Sequence, residues 1–211
     1  MFRKVAYVAI PLFIAFFVLI TSIFKSAAVV YDFGDKAAHF NTGGVVLGDN
    51  EINIEYPLVY PGRILPDHFL WPVKALRDKT WLTLTTNDSR EAELLLLLAD
   101  KRAASAKVLF DKGEVDLGYG VLAKAERYLE DASKKEIENR TGGIDTNVFL
   151  DRLAKASLKH VEIIKQVGVN APENVKPQLK VLEEIPSKTY EDAMHALNEK
   201  GLQCPNNPFD R

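Results

Sequence analysis

The residues that could act as metal ligands or nucleophiles are few and widely spaced in this chain. Its four histidines are His39, His68, His160 and His195, and its one cysteine is Cys204. None of them has the His-Glu-x-x-His or Cys-x-x-Cys spacing of a metal site. No Gly-x-Ser-x-Gly motif and no phosphate-binding Gly-Lys-Ser loop occurs either. The sequence therefore predicts no enzyme activity, no cofactor and no metal site.

Two groups of polar residues are nevertheless candidates for a binding role. His160 falls in the apolar stripe of a predicted helix, where it could bind a ligand or sense pH. The favoured interpretation is a half-buried, hydrogen-bonded histidine. Asp67 and the Arg77-Asp78 pair could form a binding notch, but the favoured interpretation is a helix cap and surface ion pairs. The alternating charges of Asp100-Lys101-Arg102 are interpreted as a solvated helix face.

Aromatic residues are concentrated in one part of the chain. They are Tyr56, Tyr60, Phe69, Trp71 and Trp81. If exposed, they would form a contact surface for a peptide or glycan, whereas a buried set would lock a turn onto a helix. The residues predicted to take part in binding are Tyr60, Asp67, Trp71, Arg77 and His160.

The overall charge balance limits the class of partner. The 211 residues contain 27 Lys and Arg against 29 Asp and Glu, a formal net charge of -2. A protein that binds the phosphate backbone of nucleic acids needs a basic excess or a basic stripe. The composition therefore predicts no nucleic-acid partner.

The N-terminal segment has the pattern of a membrane anchor. Arg3 and Lys4 precede an uncharged run over residues 5–24, and twenty helical residues span the roughly 30 Å of a bilayer's hydrocarbon core. The two leading basic residues favour a cytoplasmic N-terminus. We therefore expect a single-pass protein of the cytoplasmic membrane with its bulk extracytoplasmic. The alternative is a secreted protein, cleaved at the small residues 26–28.

Beyond the predicted anchor (residues 1–25), the chain divides by composition. Residues 26–62 contain scattered glycines and prolines and are predicted to be a juxtamembrane linker with little regular structure. Residues 63–140 form a predicted helical domain, and further helices over 141–203 pack on it. Residues 204–211 are predicted to be a disordered tail. The expected fold is all-α: a transmembrane helix followed by an extracytoplasmic bundle of antiparallel helical hairpins.

Apolar periodicity and turn residues predict six helices after the anchor. The first is capped by Asp67, and its apolar residues recur at helical spacing, namely Phe69, Val73, Leu76, Thr80 and Leu84. The second begins with a capping box at Asp88 and Glu91 and ends at Lys112-Gly113. The third ends at the break over residues 141–143.

Proline and threonine positions divide the remaining helices. The fourth covers about residues 145–167. The fifth is predicted to open at Pro172 and to end at Pro186, and Thr189 is predicted to cap the sixth.

One string of the sequence resembles a known family. It contains Tyr60-Pro61-Gly62, then Leu65-Pro66-Asp67, then Lys74-x-x-Arg77-Asp78. Residues 56–135 with these motifs resemble an uncharacterised domain-of-unknown-function family of small bacterial membrane-anchored proteins. The resemblance implies an exported, helical, single-pass protein and supplies no activity.

These observations favour a non-enzymatic, membrane-anchored helical module that binds another envelope protein. One alternative is an extracytoplasmic sensor or small-ligand-binding domain with a pocket near His160 or Trp71. An envelope hydrolase is the third possibility and requires a cleft in which histidine and carboxylates converge.

Overall fold

The structure is a computed structural model that describes residues 17–18, 39–40, 42–47 and 50–209. Phe17 and Val18 are helical. The rest of the predicted anchor, residues 5–24, and the alternative cleavage site lie outside the described residues. Within the described part of the chain, no helix is both long enough and apolar enough to cross a membrane.

Five helices make up most of the described chain. They are α1 (Trp71–Leu84), α2 (Asp88–Asp111), α3 (Val115–Thr141), α4 (Asn147–Asn170) and α5 (Lys176–Glu199). The prediction of an all-α fold is confirmed for this part. Helix α2 packs chiefly on α3 and α4 chiefly on α5, and contacts of α3 with α5 and of α2 with α4 join the two hairpins.

Fully buried leucines and alanines fill the centre of the bundle. The leucines include Leu96, Leu122, Leu129, Leu150 and Leu153. Burying one such side chain contributes about 1.5–3 kcal/mol. Alanines at Ala99, Ala103, Ala106, Ala125 and Ala132 are also inaccessible to solvent, and small side chains let helix axes approach closely.

Short strands lie in the segment that the sequence predicts to be a linker. β1 (His39–Phe40) pairs antiparallel with β4 (Leu58–Val59), and β2 (Val45–Leu47) pairs antiparallel with β3 (Asn50–Ile52). The registers place His39 opposite Val59 and Val45 opposite Ile52. Strand β4 contacts α2, and Leu58 is part of the main core.

The two ends of α2 agree closely with the helix signals in the sequence. Its N-cap is Asn87, one residue before the predicted Asp88, because the Asn87 side chain accepts a 3.0 Å hydrogen bond from the Arg90 N–H. The predicted stop is confirmed, since Gly113 has a φ of 82° and follows the C-cap Lys112.

The predicted start of α1 is wrong. The helix begins at Trp71, and its N-cap Leu70 makes no side-chain capping bond. Asp67 instead forms a 2.7 Å ion pair with Lys112 at the end of α2. Pro72 lies in the first turn, where its missing N–H costs no helical hydrogen bond.

The predicted division between a fifth and a sixth helix is also wrong. Helix α5 runs without interruption from Lys176 to Glu199 with Pro186 inside it. The proline of its first turn is Pro177 rather than Pro172, and Thr189 is a buried interior residue rather than a cap. A proline inside a helix costs about 3 kcal/mol. The buried apolar side chains on both sides of Pro186 offset that cost.

Residues 204–209 lie against the bundle instead of forming the predicted disordered tail. The Tyr190 hydroxyl donates a 2.6 Å hydrogen bond to the Pro205 carbonyl. The Lys165 ammonium lies 5.6 Å from the centre of the Phe209 ring, and both Cys204 and Phe209 pack against the main core. These contacts supply the burial that the sequence pattern did not reveal.

Candidate functional site

Three ionisable side chains from three helices meet in the core. They are Asp100 of α2, Glu126 of α3 and His160 of α4, each with 0% of its surface exposed. His160 Nδ1 lies 3.0 Å from Glu126 Oε1, and His160 Nε2 lies 3.2 Å from Asp100 Oδ1. We call these three residues the buried charge cluster.

The histidine of the buried charge cluster is held in its protonated form. Burial by itself opposes a positive charge, but the adjacent Glu126 and Asp100 outweigh it and raise the pKa of His160 to about 10. Both ring nitrogens of the imidazolium therefore donate to carboxylate oxygens at neutral pH.

A tyrosine from the extended segment completes the hydrogen bonding. The Tyr56 hydroxyl donates a 2.7 Å bond to Asp100 Oδ2. Burial, together with the neighbouring Asp100 carboxylate, raises the pKa of Tyr56 well above its ordinary value of 10.0. The segment before β4 is thus tied to the same carboxylate that binds His160.

A second buried pair on α4 binds the backbone of this extended segment. Glu162 Oε2 accepts a 2.6 Å hydrogen bond from the Ile54 N–H, and Lys159 Nζ donates a 3.3 Å bond to the Ile54 carbonyl. Lys159 and Glu162 also pair with each other at 2.7 Å. One residue of the segment therefore has both backbone groups bound by side chains of α4.

The chemistry open to these buried groups is limited by their enclosure. The donors and acceptors of the buried charge cluster bond to one another and to Tyr56, and its three side chains have no surface for a substrate. Among the described residues, no group of three or more His, Cys, Asp or Glu side chains could hold a metal ion. The arrangement fastens α2, α3, α4 and the extended segment together.

The side of α1 that faces the bundle is polar and aromatic. Asp78 and Trp81 are its buried residues. Asp78 pairs with Arg77 at 2.7 Å and with Arg102 of α2 at 3.9 Å. The Arg102 guanidinium lies 5.8 Å from the centre of the Trp71 ring. A cation and its aromatic neighbours therefore fix α1 to α2.

Lysine 74 holds the proline-rich turn against α1. Its ammonium donates to the carbonyls of Pro61 at 2.8 Å and Ile64 at 2.9 Å, and it lies 5.1 Å from the centre of the Trp71 ring. Burial lowers the pKa of Lys74 to about 8, with the nearby cationic side chains adding to the effect and Asp78 opposing it.

The opposite side of α1 and its leading turn expose large apolar side chains to solvent. Phe69 is 81% exposed, Val73 55%, Leu76 55% and Leu84 62%. We call these four residues the outer face of α1. They are the apolar stripe by which the sequence predicts the first helix, and that stripe points away from the bundle.

The residues predicted to form a binding site occupy three separate environments. Trp71 and Arg77 lie on α1, where the Arg77-Asp78 ion pair is present. Tyr60 is exposed, and Asp67 pairs with Lys112 rather than with α1. His160 lies in the core, hydrogen-bonded as predicted but fully rather than half buried.

The five aromatic residues are likewise dispersed. Tyr56 belongs to the main core, and Trp81 packs in a smaller cluster with Leu94, Leu97 and Leu98. Phe69 stacks on His68 with ring centres 4.7 Å apart.

Asp100 and Glu126 are the two residues of the buried charge cluster that were not predicted from the sequence. The interpretation of Asp100-Lys101-Arg102 as a solvated face is wrong, because Asp100 and Arg102 are both buried. A signal for the missed residues does exist. Asp100 lies four residues after Leu96, and Glu126 lies four residues after Leu122, so each interrupts a buried stripe at helical spacing.

A small cavity lies away from the buried charge cluster. It measures about 110 Å³ and lies between α4, α5 and the C-terminal residues, with Lys165, Glu183 and Tyr190 in its lining. Pockets for drug-sized ligands occupy about 300–1,000 Å³. This cavity is suited to a few waters rather than to such a ligand.

Comparison with known proteins identifies one family. A family model described as "Domain of unknown function (DUF5667)" matches residues 63–174, which is more than half of the chain. The matched region begins after the Tyr-Pro-Gly turn and ends before α5. Searches of the curated proteins and of the solved structures found no match.

Proposed function

Because the chain belongs to the DUF5667 family of unknown function, we propose a function from its own residues: a membrane-anchored, extracytoplasmic helical module without enzyme activity. In this proposal the module binds another envelope component through the outer face of α1. The predicted anchor over residues 5–24 would hold the chain in the cytoplasmic membrane.

The outer face of α1 is the observation that carries the proposal. Helix α1 buries Trp81 against α2, but its outer face leaves Phe69, Val73, Leu76 and Leu84 in water, where these side chains add nothing to the stability of the fold. Contiguous exposed apolar residues mark interaction sites on soluble domains. The orientation is favourable once a second surface covers those side chains.

The buried charge cluster supports binding rather than catalysis. A catalytic acid or base must come within hydrogen-bonding reach of a substrate. His160 and its two carboxylates are enclosed on every side and bond to one another. The same residues instead give α1 a rigid support, because α2, which carries Asp100, also carries Arg102 beneath Trp71.

The extended segment suits the proposed attachment to a membrane. Contacts of Ile54 with Glu162 and Lys159, and of Tyr56 with Asp100, fix the chain just before α1. The part of the chain nearest the predicted anchor is thereby bound to the bundle from residue 54 onward.

Site-specific photocrosslinking in living cells tests the proposal. A photoreactive amino acid is placed at Leu76 on the outer face of α1 and, as the control, at Val181 of α5, which is 64% exposed. We expect an adduct with an envelope component, either protein or lipid, from position 76 and none from position 181, with mass spectrometry identifying the captured molecule. Equal labelling from both positions, or no adduct from position 76, would contradict an interaction through α1.

A further inference from the structure

The outer face of α1 is bordered by basic side chains. Successive residues of a helix are rotated by 100°, so Val73, Leu76, Thr80 and Leu84 fall within an arc of about 80°. Lys79, which is exposed, lies beyond one edge of this arc. Arg77 lies beyond the other edge with 30% of its side chain exposed, and its guanidinium is paired with Asp78 at 2.7 Å. Asp78, the acidic residue of α1, points inward and is buried. An outward apolar strip with an exposed lysine at its edge suits a helix at a membrane surface.

The polar groups on this side of α1 are already hydrogen-bonded within the helix. The Thr80 hydroxyl donates to the Leu76 carbonyl at 2.8 Å, and the Thr83 hydroxyl donates to the Lys79 carbonyl at 2.8 Å. Transferring a hydroxyl from water into hydrocarbon without a hydrogen-bond partner costs several kcal/mol. Because these hydroxyls keep their hydrogen bonds within the helix, this side of α1 can enter an apolar medium with little loss of free energy.

The side-chain types on the outer face of α1 favour a lipid surface over a protein as its partner. Protein interfaces derive most of their affinity from central Trp, Tyr and Arg side chains. Here Trp71, Trp81 and Arg102 are used on the inner side, and the outer face contains Phe, Val and Leu. Acyl chains accept such side chains without requiring a shaped pocket.

From this geometry we propose that the outer face of α1 docks on the surface of an anionic lipid bilayer, with α1 lying in the plane of the interface. The helix is about 21 Å long and enters with Val73, Leu76, Leu84 and the preceding Phe69. Lys79 remains at the level of the lipid phosphates, whereas Arg77 stays paired with Asp78. This inference rests on the proposed function and names its envelope component as the bilayer itself.

Spin labelling of the full-length chain in vesicles tests the docking. In a Cys204→Ser background, a nitroxide is attached at Val73→Cys on the outer face or at Val181→Cys, a matched valine on α5. The chain is reconstituted in phosphatidylcholine vesicles with or without phosphatidylglycerol. With phosphatidylglycerol, we expect the label at position 73 to become accessible to oxygen and protected from a water-soluble nickel complex. The label at position 181 should stay accessible to nickel in both vesicles.

Removing one charge tests the role of the basic edges. Lys79→Gln should lower the equilibrium constant for membrane docking about fivefold, since one lysine near an anionic surface contributes about that factor. Lys180→Gln, an exposed lysine of α5, is the control and should have no effect. Added salt should weaken docking in the original chain more than in the Lys79→Gln variant.

The outcomes that overturn the inference are distinct. A label at position 73 that stays accessible to nickel with phosphatidylglycerol excludes docking on lipid. Equal protection in both vesicle types excludes a requirement for anionic lipid. Spin–spin broadening between labels at position 73, removed by dilution with unlabelled chain, identifies a second copy of the chain as the cover. If vesicle docking fails while photocrosslinking at Leu76 captures a protein, the proposed function stands and only this inference fails.

Discussion

Helix α1 and the four-helix bundle α2–α5 place their apolar residues differently. The bundle encloses leucine and alanine and admits ionisable groups where each has bonded partners. Helix α1 turns Asp78 and Trp81 toward the bundle and exposes Phe69, Leu76 and other apolar side chains. The comparison indicates that α2–α5, together with Tyr56 and Leu58, covers its apolar residues, whereas α1 has an exposed apolar surface that water does not stabilise.

The two regions nevertheless hold their buried charges in similar ways. In the bundle, the His160 cation lies between two carboxylates. Beneath α1, the Asp78 carboxylate lies between Arg77 and Arg102. The difference is enclosure, because Arg77 reaches the surface with 30% of its side chain exposed. We therefore expect charge removal to be far more costly in the bundle than along α1.

The largest expected effect is that of Glu126→Gln. The change keeps the shape of the side chain but leaves His160 with one carboxylate in a fully buried site. Breaking a buried ion pair by removing one partner costs about 3–5 kcal/mol. We expect the free energy of unfolding to fall by that amount in urea denaturation of the full-length chain in detergent, followed by far-UV circular dichroism.

Glu130→Gln is the matched control for this variant. Glu130 lies one turn further along α3, pairs with Lys134 and has 46% of its side chain exposed. Surface pairs contribute about 0–1 kcal/mol, so this variant should unfold almost as the original chain does. If the free energy of unfolding fell equally in the two variants, the buried charge cluster would contribute no more to stability than a surface ion pair, contrary to this prediction.

A graded loss of stability is expected from raising the pH. The pKa of His160 is about 10 in the folded chain, against an ordinary value of 6.5, because Glu126 and Asp100 outweigh the effect of burial. A pKa raised on folding contributes stability that is fully present below the unfolded value. That stability declines above pH 6.5 and is lost as the pH rises through about 10.

Titration of the histidine rings by NMR measures this directly. The chain is labelled with isotopic histidine, and assignments come from His195→Gln, which removes an exposed ring, and from His39→Gln and His68→Gln. The ring of His160 should keep its protonated chemical shifts well above the range of an ordinary histidine. A His160 that titrates near pH 6.5 would refute the charge assignment.

The sequence was sufficient to predict the bundle wherever a local signal coincides with the tertiary contact. Asn87 and Gly113 mark the ends of α2 because capping and a positive φ depend on one or two residues. Pro186 misled the prediction because the burial of residues on both sides of it outweighs a local rule. The cost of a proline inside a helix is visible at position 186 alone, but the burial that offsets it depends on residues elsewhere in α5.

The buried charge cluster and the outer face of α1 were harder to predict, because both depend on tertiary contacts that determine whether an apolar side of a helix faces the core or solvent. His160 could be identified as a histidine within an apolar stripe, but its partners are 60 and 34 residues away in sequence. The stripe of Val73, Leu76 and Leu84 predicted a helix correctly and carried no information about its orientation. The same residues would produce the same periodicity against a core or against another surface.

The smallest expected change in stability is that of a substitution on the outer face of α1. Leu76→Gln replaces an exposed leucine by a residue of similar helix propensity, so the free energy of unfolding should change by no more than about 0.5 kcal/mol. Trp81→Ala, on the buried side of the same helix, should cost about 3 kcal/mol. Both are measured by the same urea denaturation. Because a leucine that supports the fold would lose its burial on this substitution, a loss at Leu76 comparable with that at Trp81 would mean that the outer face of α1 is covered by the chain itself. A near-zero loss would leave those side chains available to an outside surface, as the proposed docking requires.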